Sequence, residues 1–391
     1  MNIMDYLDMR GDLTFSERPF NEVDNLIFSE LAYLDMNGIV DDSIDFTVTI
    51  AELCEKYLAL GYDQSYIIND PKPLLKKAAE TARFKDIRVG AYVDKVAADE
   101  QVQFACATFV VGDGTAYVGY RGTDNTIVGW REDFNISYLS ETPGQSEAAA
   151  YLNRIAGHTD YSLRVGGHSK GGNFAVYAAA FCKEAVRRDR VIEVYSNDGP
   201  GFNQSVVESK QYASILEKVT KIIPESSLIG ILLSSKVKPK VINSEVKGLL
   251  QHDPYTWSVR GTVFEEADGF SSASLFMDET LKKWLNTLND EEKKAVVSAI
   301  FDSLDASGAS TLTEMNENKW VSYNAILKAV SRISKTTYGE VAESLKKLAE
   351  AGKDVLWNEA KKSFEQFEQS RRGQAESQET GGKKALPAHG N

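Results

Sequence analysis

A chain of 391 residues, 42% hydrophobic and 26% charged, carries ample apolar material for a core, and its length allows two or three domains or one elaborated domain. The formal net charge is −13 and Arg371-Arg372 and Lys383-Lys384 are only short basic pairs near the C-terminal end, which argues against a nucleic-acid partner. The same acidity opposes docking on anionic lipid but not uptake of a neutral ester.

The first twenty residues scatter acids among apolar residues and do not read as a secretory signal. No segment approaches about 18 uninterrupted apolar residues, so no stable membrane insertion is expected. Cys54, Cys106 and Cys182 lie far apart in apolar surroundings, the pattern of buried reduced thiols and not of a disulfide framework or metal site. A cytoplasmic protein is the expectation.

Residues 1–95 read as a mainly helical segment with no recognisable chemistry. Pro19-Phe20-Asn21 precedes a stripe of Val23, Leu26, Ile27, Leu31 and Leu34 at helical spacing, and 49–60 and 71–81 are further helices. From Gln101 the period shifts. Val102 to Val111 and Ala116 to Tyr120, joined by Gly112-Asp113-Gly114, spell a β-hairpin. A helix is expected over Gln145 to Ile155, a strand over Leu163 to Gly166 and a helix over Phe174 to Arg188. Strands are expected over Val191 to Tyr195, Val219 to Ile223 and Trp257 to Phe264. Such alternation predicts an α/β core with a mostly parallel sheet over residues 96–268. Residues 269–369 read as helical, with stripes at Leu281, Trp284, Leu285, Leu288 and at Val297, Ile300, Phe301, Leu304; residues 370–391 have the composition of a disordered tail.

Gly167-His168-Ser169-Lys170-Gly171 is a G-x-S-x-G pentapeptide standing between a strand and a helix. The pentapeptide alone is a weak signal, but that context lifts a serine hydroxyl above the sheet as a nucleophile. Serine needs a base at neutral pH, usually histidine, and the chain has four. His389 lies in the tail, His168 is inside the turn with its side chain directed into the fold, and His158 precedes the serine. His252 remains, in Gln251-His252-Asp253-Pro254, a loop late enough to return over the sheet. The carboxylate that orients it belongs between the two in sequence. Asp198, in Asn197-Asp198-Gly199-Pro200 at the end of a strand, is preferred; Glu225, after the next strand, is the alternative. Donors for a developing oxyanion are the N–H of Lys170 and, from the loop Tyr120-Arg121-Gly122-Thr123, that of Thr123.

Tyr120-Arg121-Gly122-Thr123, then Trp130-Arg131-Glu132-Asp133, then Gly167-His168-Ser169-Lys170-Gly171-Gly172 resemble, in order and spacing, the class 3 lipases of the α/β-hydrolase fold. Asp24-Asn25, the elbow with Asn173, Asn197-Asp198-Gly199-Pro200-Gly201-Phe202 and His252-Asp253-Pro254 are similar, over nearly the whole chain up to the tail, to a bacterial group of lipase-like proteins with unassigned substrates. The resemblance implies Ser169 as nucleophile, Thr123 in the oxyanion hole and His252 as base. The class 3 pattern has an aspartate where Pro224-Glu225-Ser226-Ser227 stands here, and an apolar residue where Lys170 stands. A cation there either pairs with Glu132 or Asp133, the preferred reading, or attracts an anionic substrate group.

Trp130, Phe134, Tyr138 and Leu139 are candidates for a lid or acyl-pocket wall, with core packing the alternative. The expected activity is hydrolysis of an acyl ester or lipid through Ser169, His252 and Asp198, with no metal or cofactor. Thioester or peptide cleavage by the same residues, and a non-catalytic interaction protein on a hydrolase scaffold, are the alternatives; the C-terminal helices would cap the pocket or offer a partner surface.

Overall fold

The computed structural model describes residues 1–61, 70–97, 102–123, 135–136, 139–272, 274–275 and 278–279. Its main helices are α1 (Ile3–Arg10), α2 (Glu22–Leu31), α3 (Ile50–Leu60), α4 (Lys72–Glu80), α5 (Pro143–His158), α6 (Lys170–Phe181) and α7 (Glu184–Asp189). An eight-stranded sheet runs in chain order through β1 (Val48–Thr49), β2 (Arg88–Ala97), β3 (Val102–Val110), β4 (Thr115–Tyr120), β5 (Ser162–His168), β6 (Val191–Asn197), β7 (Val219–Pro224) and β8 (Lys240–Ile242). The first four pair antiparallel as neighbours. From β4 to β8 every pairing is parallel, each strand reached through a helical or looped crossover.

Helices cover both faces of this sheet. On one side Phe28, Leu31 and Phe84 meet Phe109, Tyr117 and Trp257; on the other Leu152, Ile155 and Phe174 meet Phe104, Val165 and Val194. That double cover explains why β3, Val102–Val110, is buried at every position and reads as a continuous β-forming run instead of an alternating one.

The expected hairpin is β3–β4, turning through Gly114 at φ 84°. Other elements differ from the sequence reading. β2 was not foreseen, because a register shift between Gly90 and Val93 and a left-handed Ala91 (φ 54°) break its alternation. The helix expected from Phe174 to Arg188 is divided after Phe181, where the Lys183 N–H leaves the helix and donates to Asn153 Oδ1 at 2.8 Å. The strand expected over Trp257 to Phe264 is a small separate hairpin of Val259–Arg260 and Val263–Phe264, reversing at Gly261 with φ 71°. Trp130, Phe134 and Tyr138, the helical stripes from Leu281 to Leu304 and the tail lie outside the described residues; Leu139 is half-buried.

Helix α2 shows how the N-terminal segment joins the core. Asn21 caps it, accepting from the N–H groups of Val23 and Asp24 while Asp24 returns a carboxylate to the Asn21 N–H. Every residue from Val23 to Leu31 is buried, polar ones included. Asn25 donates to Asn197 Oδ1 at 2.8 Å; Asn197 Nδ2 donates to Ser29 Oγ at 3.0 Å and to Gly167 O at 3.2 Å. Tyr117 Oη completes the set, donating to Asn25 Oδ1 at 2.7 Å and lying 2.8 Å from Ser29 Oγ. This buried amide and hydroxyl cluster ties α2 to the carboxyl ends of β5 and β6.

Removing one member strands its partners without water. Asn25→Ala is therefore expected to lower unfolding free energy by about 1–3 kcal/mol. Urea denaturation with an unchanged denaturant slope is the measurement, and stability equal to wild type would contradict the account.

Candidate active site

β5 ends in a turn that leaves no room for a side chain two residues before or two residues after Ser169. A Cβ on Gly167 would lie 2.4 Å from the Gly171 carbonyl carbon, and one on Gly171 would lie 2.1 Å from Tyr120 O. Between them Ser169 takes φ 57°, ψ −130°, a backbone state that costs a non-glycine residue about 1–3 kcal/mol. Its N–H is held by Asn197 O at 2.9 Å, and its hydroxyl stands at the entrance to α6.

One strand further on, Asp198 leaves β6 with φ 50°, its N–H bonded to Ile222 O at 2.8 Å. The carboxylate is fully buried. Oδ1 accepts from Ser227 Oγ at 2.5 Å and from the Gly230 N–H at 3.1 Å, which leaves Oδ2 free to face His252 Nδ1 at 2.6 Å. His252 closes the short 3₁₀ helix Gly248–His252, so it is not in an open loop. With its proton on Nδ1, donated to Asp198, the ring presents the Nε2 lone pair to Ser169 Oγ at 3.0 Å. Serine, histidine and aspartate thus form one continuous hydrogen-bonded chain. Glu225 enters the structure through its main chain, its N–H donating to Ile242 O and its carbonyl accepting from the Ser271 N–H.

Thr123 is half-buried just beyond β4, in a loop pressed against the elbow. A Cβ on Gly122 would sit 2.6 Å from His168 O. Lys170 opens α6, but its ammonium turns away from solvent: the residue is 1% exposed, and Nζ donates to Gln103 Oε1 at 2.6 Å and to Gln103 O at 3.1 Å. This placement disfavours the alternative in which Lys170 attracts an anionic substrate group. Glu132 and Asp133, the expected partners, lie outside the described residues.

The N-terminal segment, which the sequence reading left without chemistry, reaches the site through His168. This imidazole is 2% exposed; Nε2 donates to His252 O at 2.9 Å, and Nδ1 lies 3.2 Å from Tyr33 Oη. Glu30 Oε1 is 3.6 Å from Nδ1, beyond hydrogen-bond range, and has no hydrogen-bond partner among the described residues. Burial, with a smaller push from Asp253, raises the Glu30 carboxyl well above its ordinary range. Burial, then the neighbouring His252, drives the His168 imidazole well below its own. Burial thus biases each of the two groups toward its neutral form. One signal was available in sequence: Asn25, Ser29 and Tyr33 recur every fourth residue, a polar line beside the apolar stripe of Val23, Leu26, Ile27 and Leu31.

A mostly parallel sheet with helices on both faces, carrying a strained serine at a strand-to-helix elbow, defines a lipase-like α/β-hydrolase fold. The Mbeg1-like family profile matches residues 78–302, more than half of the chain, and the protein belongs to that family. No curated protein matches significantly. Among solved structures, M37 lipase is 16% identical, covering 53% of this chain and 68% of its own with a TM-score of 0.36. The Rhizomucor miehei lipase in its propeptide complex is 14% identical, covering 65% and 76%, with a TM-score of 0.37.

The neutral His168 gives a pH dependence of known sign. Below the ordinary imidazole value of 6.5 the unfolded chain takes up a proton there that the folded protein refuses, so this residue's contribution to stability falls as pH drops. Between pH 7.5 and 5.5 that loss reaches at most about 1.4 kcal/mol. Glu30 acts oppositely: its ionisation is shifted upward in the folded chain, so its contribution to stability falls as pH rises above the ordinary value of 4.5. His168→Gln keeps Glu30 and removes the imidazole, so the stability difference between wild type and variant is expected to move in the variant's favour on acidification. Urea unfolding at the two pH values reads it, and a constant difference would refute it.

Proposed function

We propose that this protein is a serine hydrolase of carboxylic esters, acting on an acyl lipid or a smaller acyl ester. The observation that carries the reading is the chain Ser169 Oγ, His252 Nε2, His252 Nδ1, Asp198 Oδ2, with links of 3.0 and 2.6 Å, mounted on a left-handed serine. Ser169 Oγ attacks the ester carbonyl carbon while its proton passes to His252 Nε2. Asp198 stabilises the imidazolium without taking the proton. The N–H groups of Thr123 and Lys170 face the oxygen that becomes negative. Collapse of the tetrahedral intermediate expels the alcohol, which receives the proton from His252. Water, deprotonated by the same ring, then attacks the acyl-enzyme; collapse of that intermediate releases the acid while His252 returns the proton to Ser169 Oγ.

Support comes also from the order Ser169, Asp198, His252 along the chain, which is that of α/β-hydrolases, and from the sequence resemblance to class 3 lipases. A cytoplasmic enzyme of bacterial type is the setting that fits its composition and that resemblance.

Covalent labelling by a fluorophosphonate is the direct test. The wild-type protein is expected to gain one adduct, Ser169→Ala none, and His252→Ala to react at least about a thousandfold more slowly. An unlabelled wild-type protein would end the hydrolase reading. The choice of acid is read separately, on the best substrate from p-nitrophenyl esters running from acetyl to palmitoyl. Asp198→Asn is expected to lower kcat by about 10⁴-fold, and Glu225→Gln to stay within about threefold of wild type. The reverse ranking would reassign the acid.

A further inference from the structure

We propose that His168 and Tyr33 are positioning residues that fix the base relative to the elbow, so that the N-terminal segment carries part of the reaction machinery. This assignment rests on reading Ser169, His252 and Asp198 as the catalytic set.

His252 ends a 3₁₀ helix, and the last carbonyls of any helix lack a partner within it. The segment before it is braced through Gln251, whose side chain accepts from the Ser226 N–H at 2.7 Å and donates to Val246 O at 2.8 Å, and whose carbonyl accepts from Trp257 Nε1 at 2.8 Å. The carbonyl of His252 itself is held by His168 Nε2 at 2.9 Å. A carbonyl acceptor requires the proton on that nitrogen, which leaves Nδ1 as acceptor for the Tyr33 hydroxyl at 3.2 Å. The two imidazoles also lie 4.6 Å apart between centroids, in direct contact, so His168 supports the ring of His252 as well as its carbonyl.

Tyr33 is shared among several elements. Its Oη lies 3.3 Å from His168 O, at the start of the elbow, and 2.1 Å from where a Cβ on Gly122 would be, beneath the loop that leads to Thr123. One hydroxyl from the end of α2 therefore touches the elbow, the imidazole behind the base and the oxyanion loop. With Nδ1 unprotonated, the ring accepts from Tyr33 on one nitrogen while its Nε2–H holds the His252 carbonyl on the other.

Near-attack geometry is sensitive to shifts of an ångström. The experiment measures both the rate constant and the end-point stoichiometry of fluorophosphonate labelling, by intact-protein mass spectrometry. His168→Leu is expected to react about 10–100-fold more slowly than wild type, still reaching one adduct per chain. His168→Gln, whose amide N–H takes the place of Nε2–H, is expected to recover to within about threefold, and Tyr33→Phe to be slower by about three- to tenfold. A purely structural role would lower the labelled fraction and leave the rate constant alone; that outcome overturns the proposal. So does a Gln variant as slow as the Leu variant, which would separate the effect from the hydrogen bond. If the Leu variant does not fold, Tyr33→Phe decides, and a wild-type rate there overturns the assignment. An unlabelled wild-type protein would instead overturn the hydrolase reading, and this assignment with it.

Discussion

Two main-chain hydrogen bonds at the carboxyl edge of the sheet hold the candidate site together. Ser169 N–H to Asn197 O at 2.9 Å and Asp198 N–H to Ile222 O at 2.8 Å continue the parallel ladder one residue past the strands themselves. Each fixes a residue in the left-handed region, φ 57° for Ser169 and 50° for Asp198. Either residue alone would relax toward an ordinary conformation and turn its side chain aside. Locked to the neighbouring strand, both point their functional atoms at the same space above the sheet, where the ring of His252 fits between them.

Around that edge the fold spends its buried polar groups on position. Ser227 and Gly230 occupy one oxygen of Asp198, and Ser227 is in turn held through its carbonyl by Ser274 Oγ at 3.0 Å. Asn197 joins the strands of the serine and the aspartate to α2. Lys170, the residue after Ser169, is turned inward to Gln103 on β3, so the start of α6 is anchored to the antiparallel half of the sheet. Satisfied buried networks of this kind favour one arrangement of the backbone over its neighbours, because any slip leaves a donor or acceptor dry.

The strand-turn-helix at Ser169, the β3–β4 hairpin and the parallel series that follows were legible because their signals are local: a glycine pair flanking a serine, a Gly-Asp-Gly turn, β-forming runs of ordinary length. Asp198 and His252 were reachable by chain order and by elimination among few histidines. What stayed hidden depends on partners far away in sequence. β2 is bulged and reads as irregular until β3 pairs with it. Glu30 and Tyr33 look like ordinary helix-end residues until His168 arrives beneath them. Trp257 to Phe264 has strand composition, but Gly261 folds it on itself before it can join the sheet.

The Asn25–Asn197 bond spans 172 positions of the polymer. During synthesis α2 therefore leaves the ribosome long before its hydrogen-bonding complement has been translated. A nascent chain stopped short of β6 leaves the amide and hydroxyl of this helix to water and part of its apolar face without cover. Such an intermediate is the kind that chaperones hold and proteases clear. The elbow is thus set by the order of manufacture: Ser169 cannot take its left-handed conformation against Asn197 until the strand that carries Asn197 has been made.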